Sequence, residues 1–110
     1  MGTHPDAPRI TERRLARRCD FDAPLEIEWG SSTLPARVTQ ISASGMFIQI
    51  DQPLWVGASF EARLGLHPPL LLRCVVRRVA PGQGMGVSIE VAEAQGIERL
   101  EALVESLLRS

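Results

Sequence analysis

The sequence contains no lysine and no tyrosine, and it has only two cysteines and two histidines. So few sulfur and imidazole groups cannot form a metal-binding cluster at any recognisable spacing. They also provide no Cys–His pair and no Ser–His–acid set, and no recognisable motif places two carboxylates in a cleft. We therefore expect a protein that is not an enzyme and that binds no metal ion.

Long hydrophobic segments are absent as well. No apolar run approaches the ~20 residues that a membrane-spanning helix needs, and residues 1–11 lack the apolar stretch of a signal peptide. We expect a cytoplasmic protein without membrane insertion, in which Cys19 and Cys74 are reduced and pack as small apolar side chains. A net charge of −1 gives no general attraction to nucleic acid, so we expect none as a partner.

The chain of 110 residues is long enough for one hydrophobic core. Residues 1–11 include a glycine and two prolines and little that could pack, which predicts a flexible N-terminal arm. We expect residues 12–110 to form a single domain, because no repeat and no linker divides them.

Most of that domain has the pattern of short strands. Six segments alternate apolar and polar residues or are rich in β-branched residues, and glycine-, serine- and proline-containing turns separate them. These segments are 25–29, 34–40, 46–50, 60–66, 70–79 and 85–91. On the second of them, the alternation places Val38 and, at its end, Gln40 on the apolar face.

The last segment changes period. Apolar residues recur at three- and four-residue spacing from Ile97 to Leu108, which predicts an amphipathic helix of about four turns. The fold class we expect is all-β with one helix. It is a six-stranded antiparallel β-barrel, closed so that no strand edge is exposed, with a C-terminal α-helix packed across an open end.

Two short segments carry the functional information. The first has four arginines in the six residues 13–18, and the second is the loop 40–45, which reads Gln-Ile-Ser-Ala-Ser-Gly. The planar guanidinium of arginine suits phosphate groups and guanine edges. Taken separately, each segment has a simpler explanation, a solvated basic arm for the first and an ordinary turn for the second.

Taken in order, the two segments resemble the paired motifs of the PilZ domain family, RxxxR followed by [D/N]xSxxG. The first motif fits Arg14 and Arg18, or one residue earlier Arg13 and Arg17, and the strand-opening Pro24 favours the first register. The second motif fits the loop through its serine and its glycine, which here are Ser42 and Gly45. The resemblance covers about residues 12–108 and implies the PilZ-like form of the barrel described above.

Position 40 departs from the family pattern. Gln40 stands where the family has Asp or Asn, and an amide offers one acceptor where a carboxylate offers two. A charge-assisted hydrogen bond contributes roughly 1.5–3 kcal/mol, so the resemblance implies a site that is weakened by about 10- to 100-fold rather than abolished. It also implies that replacing Gln40 by Asp tightens binding.

The resemblance implies a receptor for cyclic di-GMP, held as a ligand and not as a catalytic cofactor. Arg14 and Arg18 would bind its phosphates and stack on its guanines, and in this family an arginine at the position of Arg13 goes with a stacked ligand dimer. Ser42 would hydrogen-bond the ligand, and Gly45 would let the loop backbone approach it. Either Arg77 or Arg78 could also face the ligand, beside the simpler reading of an exposed strand arginine.

Such a receptor has no chemistry of its own. Its arm would fold over the ligand and create a new surface for an unidentified effector protein. The alternative that Gln40 favours is a degenerate PilZ-like adaptor that binds proteins but no nucleotide. Neither reading predicts the downstream process, the ligand stoichiometry or the oligomeric state.

Overall fold

Six antiparallel strands close into a barrel in the order β1-β2-β3-β6-β5-β4, and one helix follows them. The computed structural model describes residues 17–90 and 94–109. Its elements are β1 (Cys19–Trp29), β2 (Ser32–Ile41), β3 (Gly45–Gln49), β4 (Ser59–Leu64), β5 (Leu70–Ala80), β6 (Gly84–Glu90) and α1 (Ala94–Leu108). The predicted fold class, a six-stranded antiparallel barrel with a C-terminal helix, is confirmed.

The clearest difference from the predicted elements lies in β1, which begins six residues before the predicted start at Leu25. Cys19 is paired with Ile41 and Asp20 with Gln40, so the strand continues past Pro24 towards the arginine-rich segment. The alternation also continues there, because Phe21 is half-buried while Asp20 is exposed. Pro24 lies within the strand, exposed and opposite Arg37 of β2.

The barrel interior is filled by the apolar side chains that the alternation predicts. Every strand contributes at least one residue that is almost fully buried. These residues are Leu25, Ile27, Val38, Ile41, Ile48, Leu64, Cys74, Val76 and Met85. Burying one such aliphatic side chain contributes roughly 1.5–3 kcal/mol, so this layer is the main source of stability.

Helix α1 packs against the barrel with one stripe. Leu100 and Val104 are buried, and the helix contacts β1 and β5, which β4 separates in the barrel. Arg99 secures the helix by donating hydrogen bonds to the carbonyl oxygens of Pro69 at 3.1 Å and Pro68 at 2.5 Å. Within residues 17–90 and 94–109, no helix has both the length and the apolar character needed to span a bilayer.

The two ends of β1 carry different features. At its beginning, Asp20 is opposite Gln40 and next to the loop that follows β2. At its end, the ring of Trp29 meets that of Trp55 edge to face, with centroids 5.0 Å apart and planes at 80°. The tryptophans therefore lie a full strand length away from the predicted binding loop.

Candidate functional site

Five strands contribute one residue each to a row on the outer face of the barrel. Cross-strand pairing connects Asp20 of β1 to Gln40 of β2, then to Phe47 of β3, Gly86 of β6 and Arg78 of β5. Because directly opposed residues in antiparallel strands point to the same face, the four side chains of this row lie beside one another.

Three register shifts border this row, one beside Asp20 on β1, and two that change the direction of a side chain on β2 and β5. Val38 is buried, so strict alternation would place Gln40 inside the barrel, but an extra residue on β2 between them turns Gln40 outward. The same happens on β5, where Val76 is buried and the pairing shifts before Arg78. A β-bulge reverses the face of the residue that follows it and commonly re-aims a side chain at a binding site. The expected inward position of Gln40 is therefore wrong.

Arg78 and Phe47 make contact across a glycine. The guanidinium carbon of Arg78 lies 5.5 Å from the centroid of the Phe47 ring, within the range of a cation–π contact. Gly86 lies between them in the sheet, and a Cβ there would be 3.1 Å from both Cγ and Nε of Arg78. The missing side chain thus leaves the room in which the arginine lies over the ring.

The row forms the floor of an open cleft of about 370 Å³. The cleft is lined by Asp20, Thr39, Gln40, Phe47, Arg78, Ala80 and Gln83. It combines a flat cationic group over an aromatic ring with a carboxylate and two amides, which both donate and accept hydrogen bonds. Such a surface can stack on a planar heterocycle and form hydrogen bonds with its polar edge.

The loop after β2 is held together by the hydroxyl of Ser42. This side chain is buried, and its Oγ accepts hydrogen bonds from the backbone N–H groups of Ser44 at 3.2 Å and Gly45 at 3.1 Å. The backbone N–H of Ser42 also donates to the Gly45 carbonyl at 2.8 Å. Ser42 therefore builds the loop, and its predicted contact with a ligand stays a prediction.

Close packing between strands also requires a glycine at position 45. A Cβ at this position would lie 2.6 Å from the carbonyl oxygen of Val87, so only glycine lets β3 pair with β6 here. The loop is tied to β6 again by a hydrogen bond of 2.8 Å from the Ile89 N–H to the Ser44 carbonyl. The predicted approach of the Gly45 backbone to a ligand remains a prediction.

Among the predicted arginines that the structure describes, one lines the cleft. Arg18 is exposed immediately before β1, two residues from Asp20. Arg13 and Arg14 lie outside the described residues. On β5, Arg77 donates a hydrogen bond of 3.0 Å from Nε to Oγ of Ser88, whereas Arg78 lines the cleft. Of the two strand arginines left open by the sequence, Arg78 is the one placed at the candidate site.

Sequence reasoning identified Gln40 and left Arg78 open, and it missed the other five cleft residues: Asp20, Thr39, Phe47, Ala80 and Gln83. The alternation of residues 19–23 was a usable signal for Asp20, because it places the aspartate on the polar face of an extended β1. No comparable signal marks Phe47, since an aromatic residue in a strand is normally assigned to the core.

The shifted pKa values of groups outside the cleft have structural causes. Burial, with a smaller contribution from the charge of Glu90, raises the pKa of the Cys74 thiol to about 12, so this thiol is inert. Asp22 accepts a hydrogen bond of 2.8 Å from Nε of Arg37, and this bond, helped by the aspartate charge, raises the pKa of Arg37. In the part of the chain that the structure describes, no three His, Cys, Asp or Glu side chains are grouped to hold a metal ion.

Comparison with known proteins agrees with this architecture. Similar solved structures include MotI/DgrA, an inhibitor of motility from Bacillus subtilis, with a TM-score of 0.68 and 19% identity over 84% of this chain and 47% of that one. The PilZ domain of CeSA from a cellulose-synthesizing bacterium has a TM-score of 0.63 and 18% sequence identity, over 84% of this chain and 98% of that domain. MrkH, a c-di-GMP-dependent transcription regulatory factor, has a TM-score of 0.65 and 12% sequence identity, over 84% of this chain and 50% of that one.

These likenesses show the fold, and the chain spans about half the length of MotI/DgrA and of MrkH. A comparison with curated proteins by sequence gives no match. The family model of the PilZ domain, in contrast, matches residues 12–106, which is most of the chain and includes both sequence motifs and the cleft. By this match, the chain belongs to the PilZ domain family.

Proposed function

We propose that this protein is a non-catalytic cytoplasmic receptor that binds cyclic di-GMP in the cleft over β1, β2, β3, β6 and β5. The observation that carries the proposal is the row in which Asp20, Gln40, Phe47 and Arg78 stand side by side on the outer face. Family membership supports it, as does the c-di-GMP dependence of MrkH, whose fold is similar.

The cleft matches the chemistry of a guanine base. The guanidinium of Arg78 over the Phe47 ring forms a flat surface, and stacking of a base on such a surface contributes roughly 1–3 kcal/mol. The carboxylate of Asp20 and the amide of Gln40, on the β1 and β2 side of the row, would face the polar edge of a base stacked there. Arg18, exposed immediately before β1, would bind a phosphate, and the family pattern assigns Arg13 and Arg14 to the same task.

Signalling would follow from ordering. Closing an arginine-rich segment over the ligand costs conformational entropy and creates a surface that the free protein lacks. An effector protein that recognises this surface would complete the switch. The chain contributes no covalent step.

A second candidate is a PilZ-domain adaptor that binds a protein partner without nucleotide. Two observations favour it. Position 40 carries an amide in place of the acid or Asn of the family, and the hydroxyl of Ser42 is engaged with Ser44 and Gly45 inside its own loop. On this reading, the loop is a structural element and the cleft is a remnant.

Isothermal titration calorimetry with cyclic di-GMP separates the two candidates. We expect micromolar affinity, near −8 kcal/mol, and far weaker binding of GMP and GTP, because two guanines must be held together. Arg18→Ala should weaken binding by about tenfold or more, the scale of one lost charged hydrogen bond. Its melting temperature should hardly move, because Arg18 is exposed.

Arg73→Ala is the matched control. Arg73 is an exposed strand arginine outside the cleft, with an ion pair to Glu61 at 3.4 Å, so its removal should leave the affinity unchanged. An absence of binding heat and of any thermal shift at about millimolar ligand would reject the receptor and favour the adaptor.

A further inference from the structure

We infer that Asp20 supplies the guanine-binding carboxylate that this chain lacks at position 40. The inference rests on the proposed function, and it assigns a residue that lies in neither of the two sequence motifs. The family pattern has Asp or Asn where this chain has Gln40, while the residue directly opposite Gln40 on the neighbouring strand is an aspartate.

The register places this carboxylate beside the position that the motif would have used. Directly opposed residues in an antiparallel pair have Cβ atoms about 4.5–5.5 Å apart. Asp20 and Gln40 are such a pair, and both line the cleft that contains Phe47 and Arg78. The carboxylate therefore lies one strand away from position 40, at a distance that a side chain can span, and it is on the same face of the barrel.

The chemistry of guanine explains why an acid is useful there. The Watson–Crick edge of guanine presents two adjacent donors, N1–H and the N2 amino group, and a carboxylate can accept from both in a charge-assisted pair. Gln40 then donates its amide N–H to the neighbouring O6. Adenine presents an acceptor at N1 in place of a donor, so the carboxylate of Asp20 discriminates against it.

This arrangement changes what a substitution at position 40 should do. The family pattern alone implies that Gln40→Asp tightens binding. With Asp20 directly opposite, the same change brings two carboxylates together, and like charges at opposed positions of a sheet are unfavourable. We therefore expect little or no gain from Gln40→Asp in the natural chain, and a large gain only where Asp20 has been neutralised.

The test uses calorimetric titration of the wild-type protein, Asp20→Asn, Gln40→Asp and the double variant with cyclic di-GMP and cyclic di-AMP. Asp20→Asn should weaken cyclic di-GMP binding by about tenfold and lower the preference for guanine over adenine by a similar factor. Gln40→Asp alone should stay within about threefold of wild type. The double variant should recover most of the affinity and of the guanine preference, and this recovery also shows that the site remains folded.

Asp22→Asn is the matched control. Asp22 is an exposed aspartate two residues further along β1, its carboxylate is bound to Arg37, and it does not line the cleft. The Asp22→Asn substitution removes the same charge from the same strand as Asp20→Asn. Because Asp22 lies outside the cleft, this substitution should leave both affinity and base preference unchanged.

The possible outcomes are distinct. Failure of the wild-type protein to bind cyclic di-GMP would overturn the proposed function and this inference with it. Binding by wild type that Asp20→Asn leaves unchanged, in affinity and in base preference, would overturn the role of Asp20 alone. Equal losses in Asp20→Asn and Asp22→Asn would also overturn it, because they would show a general effect of charge.

Discussion

Substitution of Gly86 by Ala tests the cleft without replacing any side chain that could contact a ligand. Gly86 is buried between β3 and β5, under the side chain of Arg78. A methyl group there would lie 3.1 Å from Cγ and from Nε of Arg78, closer than ordinary van der Waals contact. The arginine side chain must therefore shift by a few tenths of an ångström, which disturbs its contact with the ring of Phe47, whose centroid now lies 5.5 Å from the guanidinium carbon.

The expected effect on binding follows from what this movement disrupts. An exposed cation–π contact contributes about 0.5–1 kcal/mol, and a stacked base contributes about 1–3 kcal/mol. A displaced arginine retains its charge but loses its position, so we expect a loss of about 1 kcal/mol, or roughly fivefold in the dissociation constant for cyclic di-GMP.

The effect on stability should be small. Replacing a glycine by alanine restricts the unfolded chain and contributes roughly 0.4–1 kcal/mol of stability where the backbone tolerates it. The φ angle of Gly86 is not positive, so alanine can adopt it. The lost contact between Arg78 and Phe47 offsets this gain, which leaves the free energy of unfolding within about 1 kcal/mol of wild type.

Calorimetric titration and urea unfolding together provide the assay, with Gly30→Ala as the control. Gly30 has a φ of 61° in the turn after β1, at the far end of that strand, and no atom within 4 Å of an added Cβ. Alanine there should cost about 1–2 kcal/mol of stability and leave affinity unchanged. Wild-type affinity in Gly86→Ala would refute the claim that the Arg78–Phe47 pair forms part of the binding surface.

Two further predictions concern the barrel itself. Ser42→Ala should lower the free energy of unfolding by about 1–3 kcal/mol, because it leaves the N–H groups of Ser44 and Gly45 without their acceptor; loss of cyclic di-GMP affinity at unchanged stability in urea unfolding would instead indicate a direct ligand contact. Burial raises the pKa of Cys74 to about 12, so folding favours the protonated thiol. The free energy of unfolding therefore keeps its full value below the unfolded pKa near 8.5, and above that pH it falls by up to about 1.4 kcal/mol per pH unit. Urea unfolding from pH 8 to 11 should show this decline in the wild-type protein and less of it in Cys74→Val.

The fold could be predicted because its determinants are local. Period-two alternation in segments such as 25–29 and 60–64, separated by turns, specifies strands with one buried face, and the stripe ending at Leu108 specifies the helix. Closure of six such strands into a barrel leaves no strand edge exposed. The start of β1 was missed because the strand pattern was recognised only after Pro24, although the alternation of residues 19–23 already matches the strand.

The candidate site was harder to predict, because it depends on interruptions of the same pattern. The extra residues at Thr39 and Arg77 reverse the faces of Gln40 and Arg78, and alternation gives no warning of a bulge. The motif on β2 nevertheless identified Gln40 as a site position, because the resemblance rests on residue types and spacing and not on which face they occupy.

Cross-strand neighbours are the information that neither alternation nor motif spacing contains. Asp20 is separated from Gln40 by 20 positions in sequence, and Phe47 from Arg78 by 31, yet each pair is brought together by the register of the barrel. A motif scored along the chain treats a replaced acid as a lost function. In a sheet, the same face can regain that acid from the adjacent strand, because opposed side chains are as close as successive residues on one face. The departure at position 40 is therefore evidence about binding only when the residue opposite is considered with it.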